Sequence, residues 1–246
     1  MAPLVIAHRG DSAHRPENTL ASFVSALEVG ADIVELDVQL SADGHVVVLH
    51  DGTVDRTTDG HGSVSELSLA ELRRLSAGFP ERFGDAYRGE RIPTLAETLA
   101  LLKGRARVLI EIKKESVGED AASSVEAHTI EEVRKAGMAG DVVFLSFERE
   151  ALRRCRQLAP EIRRGHLFYR GTPEEMIAGA HEVGTDLVMP HKSSLSEGLT
   201  RQAHAAGVKV ATWVVDDPAE LKTLARFDLY AVGSNCPGVL LDALLE

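Results

Sequence analysis

The sequence is poor in cysteine, in positive charge and in long hydrophobic runs. Only Cys155 and Cys236 are present, so the chain has neither a disulfide framework nor the cysteine spacing of a zinc site. The formal net charge of −11 argues against non-specific binding to nucleic acids or anionic membranes. No apolar run is long enough to span a membrane, and charged residues come too early for a signal peptide. We therefore expect a cytoplasmic protein without stable membrane insertion.

Short apolar runs alternate with amphipathic segments along the chain. The runs predict strands at residues 4–7, 33–38, 108–112, 142–145, 163–168, 186–189, 208–214 and 230–232. Helical periodicity follows each run, and this strict alternation predicts a parallel sheet. At 246 residues, a closed TIM (β/α)₈ barrel is favoured over a doubly wound sheet. The lack of GxGxxG after the first strand also argues against a dinucleotide-binding fold.

One region interrupts this alternation. Between His50 and Thr94 the sequence is rich in glycine and charge, and it predicts one short helix, at 67–75, among loops. In a barrel this would be a small insertion after the second strand, over about residues 52–92, at the rim where it could shape a substrate pocket. We expect residues 1–246 to form a single barrel domain that includes this insertion.

The second strand carries two acidic residues. Because side chains alternate between the faces of a strand, Glu35 and Asp37 lie on one face beside Ile33. Burying two like charges side by side is costly unless one is protonated or a cation lies between them. A solvated edge strand is the alternative interpretation of this segment alone.

The strand at 108–112 repeats this pattern, since Glu111 and Lys113 share a face with Leu109. An ion pair is the simplest explanation of Lys113. Together with Glu35 and Asp37, however, Glu111 supplies a third carboxylate that could bind one hard cation. All-oxygen ligation suits Mg²⁺ or Ca²⁺ rather than zinc.

Two histidines come at strand ends. His8 follows the first strand, and His50 follows a strand at 46–49 that a tight Asp43-Gly44 turn connects to the second. A single histidine in such a place is usually structural. Two of them beside three acids can act as a general acid and a general base.

Arg9 and Lys113 add positive charge beside the acidic residues. This combination can hold a phosphodiester and stabilise its transition state.

Two aromatic residues are candidates for a pocket wall. Trp213, the only tryptophan, ends the seventh strand of the predicted barrel, and Phe147 follows the fourth. Packing in the core is the alternative interpretation of both.

These residues resemble the glycerophosphodiester phosphodiesterase family. The matching pieces, in chain order, are His8-Arg9-Gly10, Pro16-Glu17-Asn18-Thr19, Glu35-Leu36-Asp37-Val38, Asp43-Gly44, Val48-Leu49-His50-Asp51, Arg56-Thr57-Thr58, Ile92-Pro93-Thr94-Leu95, Glu111-Ile112-Lys113, Ser146-Phe147 and Trp213. They cover nearly the whole chain, and together they are highly specific although each alone is weak.

The resemblance implies a TIM barrel with an insertion after the second strand. It also implies hydrolysis of glycerophosphodiesters, such as glycerophosphocholine or glycerophosphoethanolamine, to glycerol 3-phosphate and an alcohol. The implied site has one divalent cation, Mg²⁺ or Ca²⁺, on Glu35, Asp37 and Glu111, an acid/base pair in His8 and His50, and substrate contacts from Arg9, Lys113, Trp213 and Phe147. A cyclic phosphate intermediate and direct attack by water both remain open.

The sequence departs from the family pattern at two places. Val214-Val215-Asp216 follows Trp213 where the family usually has Thr-Val-Asn, and Ser234-Asn235-Cys236-Pro237 stands where Thr-Asp-x-Pro is common. Both departures lie outside the implied catalytic set, so we expect them to affect substrate preference more than activity.

Two other functions compete with this one. A related phospholipase, such as a phosphatidylinositol phospholipase C, a sphingomyelinase D-like enzyme or an enzyme for lysolipids, would be expected to show an exposed apolar rim or an export signal, and neither is clear. A non-catalytic barrel that binds a phosphorylated metabolite would not need both histidines, all three acids and both cationic residues. The sequence leaves open the head-group alcohol, the ion and the oligomeric state.

Overall fold

A closed barrel of parallel strands forms the centre of the computed structural model, which describes residues 2–113 and 123–245. In chain order the strands are β1 (Leu4–Ala7), β2 (Ile33–Leu40), β3 (Val46–Val48), β4 (Arg107–Ile112), β5 (Val142–Ser146), β6 (Arg163–Phe168), β7 (Leu187–Pro190), β8 (Lys209–Thr212) and β9 (Ala231–Ser234). All of them except β3 are parallel neighbours, and β1 pairs with both β2 and β9, which closes the barrel. The extra strand, β3, pairs antiparallel with β2. The predicted TIM barrel is thus confirmed.

Helices follow the barrel strands and cover the outside of the barrel. They are α1 (Leu20–Glu28), α2 (Leu69–Leu72), α3 (Pro80–Phe83), α4 (Leu95–Leu102), α5 (Val125–Ala136), α6 (Arg149–Leu158), α7 (Pro173–Val183), α8 (Glu197–Ala205), α9 (Pro218–Leu224) and α10 (Pro237–Leu245). Among the described residues, no helix has both the length and the apolar character needed to cross a bilayer.

Local capping sets the start of α1. Periodicity alone would begin this helix near Glu17, but Asn18 has a left-handed backbone (φ 57°). Thr19 is extended, and its hydroxyl accepts a hydrogen bond from the Ser22 backbone N–H in a capping box. The first helical residue is therefore Leu20.

Alternation along β2 divides the core into two layers. Val34 and Leu36 point outward and pack with the surrounding helices, while Ile33 and Leu109 belong to the apolar cluster inside the barrel. By the same alternation, the acidic residues of β2 share the inner face with Ile33, as predicted. They therefore lie above the apolar layer, towards the C-terminal ends of the strands.

The insertion after β3 has a small core of its own. Two of its buried members, Val47 and Leu49, belong to β3 or directly follow it. The others are Val54, Val64, Leu72, Ala77 and Ile92. The prediction of a single helix at 67–75 is wrong in two respects. The observed helix, α2, covers only Leu69–Leu72, and a second one-turn helix, α3, begins at Pro80, where proline at the first position favours helix initiation.

His166 on β6 is a buried histidine outside the cleft at the strand ends. It is 2 % exposed, it lies against the ring of Phe168, and its Nδ1 has no hydrogen-bond partner in the part of the chain that the structure describes. Burial, and then the nearby Arg149 charge, lower the pKa of His166 from 6.5 to about 4. Its neutral form therefore contributes stability that is complete above pH 6.5 and declines as the pH falls towards 4.

We predict that His166→Gln makes the free energy of unfolding less dependent on pH in this range. In the wild type, the titration of His166 costs on the order of 3 kcal/mol once the pH is below the folded-state pKa. Urea unfolding from pH 7 to pH 4 measures the effect. His61→Gln is the control, since the His61 side chain is 88 % exposed. If the free energy of unfolding changed equally between pH 7 and pH 4 in the wild type and in His166→Gln, the prediction would be wrong.

Candidate active site

The predicted site residues lie together at the C-terminal ends of the barrel strands. Eight of them line one cleft, namely His8, Arg9, Glu35, His50, Glu111, Lys113, Phe147 and Trp213. The ninth, Asp37, is fully buried and contacts Arg9 and Lys113. Strands supply the acids, and the loops that follow the strands supply the histidines, the cationic side chains and the aromatic rings. This is the end of the barrel where TIM-barrel enzymes place their chemistry.

The three carboxylates form one buried cluster. The register of β2 against β4 sets Asp37 directly beside Glu111, and one carboxylate oxygen from each of Glu35, Asp37 and Glu111 lies within 4.8 Å of the other two. Burial and then repulsion from Asp37 raise the pKa of Glu35 well above its usual range and that of Glu111 to about 7. A bound cation would offset the repulsion and so favour the ionised forms of both carboxyl groups.

Asp37 is the most constrained member of the cluster. Burial opposes its ionisation, but the charges of Arg9 and Lys113 outweigh burial and hold the pKa of Asp37 below its usual range. Its Oδ2 accepts a hydrogen bond of 2.8 Å from Asn18, whereas its buried Oδ1 has no hydrogen-bond partner among residues 2–113 and 123–245. Lys113 Nζ, 3.5 Å away, is an ion-pair contact of this oxygen. A buried carboxylate oxygen without a hydrogen bond, within an all-oxygen cluster, fits a hard divalent cation.

The turn after β1 aims its backbone at the cluster. Arg9 has a left-handed backbone (φ 56°), and its N–H donates a hydrogen bond of 2.9 Å to Glu35. Gly10 follows at φ 81°, and a Cβ there would lie 2.5 Å from the Ser22 hydroxyl oxygen. Only glycine fits this turn without displacing α1.

His50 is held by a carboxylate. Its Nδ1 lies 2.5 Å from Asp51 Oδ1, and its Nε2 lies 3.1 Å from Lys113 Nζ. Because the ammonium can only donate, Nε2 is the acceptor in this contact, and Nδ1 carries the proton shared with Asp51.

An ion-pair chain runs from Asp51 to Arg9. Arg56 of the insertion donates to Asp51 at 2.6 Å and to both oxygens of Glu17, and Glu17 accepts from Arg9 at 2.9 Å. Burial opposes the ionisation of Glu17, but Arg56 and Arg9 hold its pKa below the usual range. The chain Arg9–Glu17–Arg56–Asp51 therefore connects the surroundings of both histidines. The sequence motifs contain Glu17, Asp51 and Arg56, but they indicate no role for them.

His8 is held by an amide. Its Nδ1 lies 2.8 Å from Asn235 Oδ1, and Asn235 Nδ2 donates to Asp216 Oδ2 at 2.8 Å. Burial, and then the charge of Arg9, lower the pKa of His8 to about 4. We expected Asn235 and Asp216 to lie outside the catalytic set, but the structure connects both of them to His8.

Three aromatic rings form one wall of the cleft. The rings of Phe147 and Tyr169 stack with centroids 4.8 Å apart, and Trp213 meets both edge to face at 5.8 and 5.3 Å. The indole N–H donates to the Met189 carbonyl at 3.0 Å, which fixes the ring. Trp213 and Phe147 therefore line the cleft rather than only filling the core. Tyr169 was not predicted, although its place directly after β6 is the same kind of signal.

Comparisons with known proteins agree with this geometry. The model of the glycerophosphoryl diester phosphodiesterase family matches residues 8–239. A glycerophosphodiester phosphodiesterase of Caldanaerobacter subterraneus subsp. tengcongensis is 36% identical over 98% of both chains. One of Bacillus subtilis is 31% identical over 95% of this chain and 84% of its own.

A solved structure of a phosphodiesterase from Oleispira antarctica is also similar to this chain. That structure contains the product sn-glycerol-3-phosphate. It superposes with a TM-score of 0.90 at 32% identity, covering 100% of this chain and 98% of its own. With a family match over most of the chain and relatives of this similarity, the chain belongs to the glycerophosphoryl diester phosphodiesterase family.

Proposed function

We propose that the protein hydrolyses small glycerophosphodiesters to sn-glycerol 3-phosphate and an alcohol. One observation carries the proposal: a single cleft combines a buried all-carboxylate cluster, two histidines and two cationic side chains. A phosphodiester needs charge stabilisation, a base and an acid, and the cleft supplies all three. The Oleispira antarctica phosphodiesterase, which holds the corresponding product, supports the same substrate class.

Glu35, Asp37 and Glu111 are the proposed ligands of one divalent cation, Mg²⁺ or Ca²⁺. Their fit rests on the hard oxygen donors, on the raised pKa values of Glu35 and Glu111 and on the Asp37 oxygen that lacks a hydrogen bond. Such an ion, when bound, supplies Lewis-acid stabilisation of the negative charge on a phosphoryl oxygen.

Arg9 and Lys113 are the proposed phosphate-binding groups. Both side chains line the cleft and both contact Asp37. Guanidinium and ammonium groups make charge-assisted hydrogen bonds to phosphate oxygens, and these bonds strengthen as charge builds up in the transition state. Arg9 is held in place by Glu17, so little ordering is needed when the phosphate binds.

His8 and His50 have different proposed roles because their surroundings differ. Burial, and then the charge of Arg9, lower the pKa of His8 to about 4, which keeps its ring neutral. His50 instead lies between Asp51 at Nδ1 and Lys113 at Nε2. We therefore assign His8 as the general base, which takes the proton of the attacking hydroxyl or water, and His50 as the general acid, which protonates the leaving alcohol. A bound phosphate attracts Lys113 away from His50 Nε2, and in this proposal the freed Nε2 atom takes up a proton from solvent, which it then gives to the leaving alcohol.

The aromatic wall is the proposed contact surface for the carbon skeleton of the substrate. Phe147 and Trp213 present apolar surface in the same cleft as the charged groups. A small alcohol or glycerol chain packs there while its phosphate faces Arg9 and Lys113.

The barrel and the insertion form one catalytic domain in this proposal. The small core of the insertion includes Val47 of β3. Arg56 of the insertion also bonds Glu17, which precedes α1. Two independent contacts, one apolar and one ionic, thus connect the insertion with the barrel.

We predict that the purified protein releases glycerol 3-phosphate from glycerophosphocholine and glycerophosphoethanolamine. EDTA abolishes the release, and added Mg²⁺ or Ca²⁺ restores it, because the carboxylate cluster needs a cation. An enzymatic assay for glycerol 3-phosphate measures both effects. Lysophosphatidylcholine is the comparison substrate, and activity on it alone would replace the proposed substrate class with lysolipids.

We predict that Glu35→Gln weakens the binding of the divalent cation by at least about tenfold, because one charged ligand is lost. Calorimetric titration of the metal-free protein with Mg²⁺ and Ca²⁺ measures the affinity without relying on turnover. Glu131→Gln is the matched control, since the Glu131 side chain is 60% exposed on α5. Equal affinities of Glu35→Gln and the wild type would remove Glu35 from the ligand set.

We predict that His8→Ala and His50→Ala each reduce turnover of glycerophosphocholine by about 10²–10⁴-fold. The two variants differ on a glycerol phosphodiester with p-nitrophenol as leaving group, which departs without protonation. His50→Ala regains most of the lost rate on this substrate and His8→Ala does not. Steady-state kinetics on both substrates, with His61→Ala as control, test the assignment. The opposite pattern would exchange the two roles, and more than about a tenth of wild-type turnover in either variant would remove that histidine from catalysis.

A further inference from the structure

Asp216 and Asn235 form a polar pair behind His8. Asp216 lies after β8 and accepts three hydrogen bonds, from the Asn235 backbone N–H at 2.7 Å, from Asn235 Nδ2 at 2.8 Å and from the Ser234 hydroxyl at 3.0 Å. Burial opposes the ionisation of Asp216, but the Asn235 backbone N–H and the Asn235 side chain outweigh it and hold the pKa below its usual range. The side chain is therefore an ionised, acceptor-only group.

This carboxylate fixes which way the Asn235 amide points. Because Asp216 can only accept, the atom of Asn235 that faces it is the NH₂ group. The carbonyl oxygen of the same amide then faces His8, where it lies 2.8 Å from Nδ1. The Ser12 hydroxyl lies 3.1 Å from the same oxygen, which agrees with its role as an acceptor.

The amide in turn fixes the protons of His8. An oxygen acceptor at Nδ1 requires Nδ1 to carry the hydrogen, so Nε2 of the neutral ring has a free lone pair. The backbone holds the ring in this place, because His8 N donates to the Ser234 carbonyl at 2.9 Å and Ala13 N donates to the Asn235 carbonyl at 2.8 Å. The orientation of one amide thus decides whether His8 can accept a proton at Nε2.

We propose that Asp216 and Asn235 are a positioning pair that holds His8 in the Nδ1–H tautomer and keeps Nε2 free as the base. The proposal rests on the role of His8 given under the proposed function. Neither residue is among those that line the cleft or form the carboxylate cluster in the described part of the chain, so both act through His8.

Single substitutions break this pairing in different ways. In Asp216→Asn, the Asn235 backbone N–H and the Ser234 hydroxyl hold the new amide oxygen at the Oδ1 position. The new NH₂ group then faces the NH₂ of Asn235, so the Asn235 amide rotates, its NH₂ faces His8, and the tautomer reverses. Asn235→Asp sets two carboxylates at the 2.8 Å contact, where they repel. The double variant D216N/N235D restores an amide against a carboxylate and an acceptor oxygen at Nδ1.

Kinetics of the two single variants and the double variant test the proposal. Each single variant lowers kcat for glycerophosphocholine by about 10²-fold with little change in KM, because proton transfer and not binding is impaired. The double variant recovers to within about fivefold of the wild type, a coupling that independent sites do not show. Asp228→Asn, whose parent side chain is 78% exposed, is the control. A double variant no better than the worse single variant would overturn the proposal.

A spectroscopic measurement tests the tautomer without turnover. Long-range ¹⁵N–¹H correlation spectra of the ¹⁵N-histidine-labelled protein, with His8 assigned from the His8→Ala variant, distinguish protonated from free ring nitrogens. The wild type and the double variant show a protonated Nδ1, and Asp216→Asn shows a protonated Nε2. An unchanged tautomer in Asp216→Asn would overturn the pairing even if the enzyme proved inactive on glycerophosphodiesters. A wild-type protein that shows the expected tautomers but no activity on glycerophosphodiesters would instead refute only the proposed function.

Discussion

The burial of three carboxylates at the mouth of the barrel is the constraint on which the rest of the site depends. Parallel pairing of β2 with β4 sets Asp37 beside Glu111, and the low polarity of the barrel interior makes their mutual repulsion expensive. The surroundings offset this cost with Arg9, Lys113 and the Asn18 amide. The left-handed backbone at Arg9 and the glycine that follows it are local consequences of the same requirement, because they bring a further N–H to Glu35.

Charge around the two histidines is distributed unequally. His50 faces Asp51, which belongs to an ion-pair chain reaching Arg9. His8 instead faces the amide of Asn235, which in turn contacts the carboxylate of Asp216. Two chemically identical side chains are therefore held by different partners. The proposed division of acid and base between them depends on these neighbours and not on the rings themselves.

Much of the fold and of the site could be predicted from the sequence, because both depend on short-range periodicity. Alternation along a strand sets Glu35 and Asp37 on the inner face, and the parallel barrel brings Glu111, His8 and His50 to the same end. The start of α1 was missed because capping by Thr19, and not hydrophobic periodicity, determines it.

The contacts that could not be predicted join residues that are far apart in the chain. Arg56 meets Glu17 across 39 positions and Asn235 meets His8 across 227. Neither contact leaves a periodic signal, since each depends on the direction of one loop. Tyr169 was missed for the same reason, because its stacking on Phe147 follows from the closure of the barrel and not from its neighbours in sequence.

The insertion is consequently not a replaceable module, although it lies at the rim and has its own small core. A chimera that kept the barrel and took this loop from an unrelated protein would lose Arg56. Glu17 and Asp51 would then each lack a cation that now neutralises them. Exchange of substrate specificity by loop grafting in this protein must therefore carry Arg56 along, or the graft will remove the cation beside Asp51, the carboxylate that holds His50.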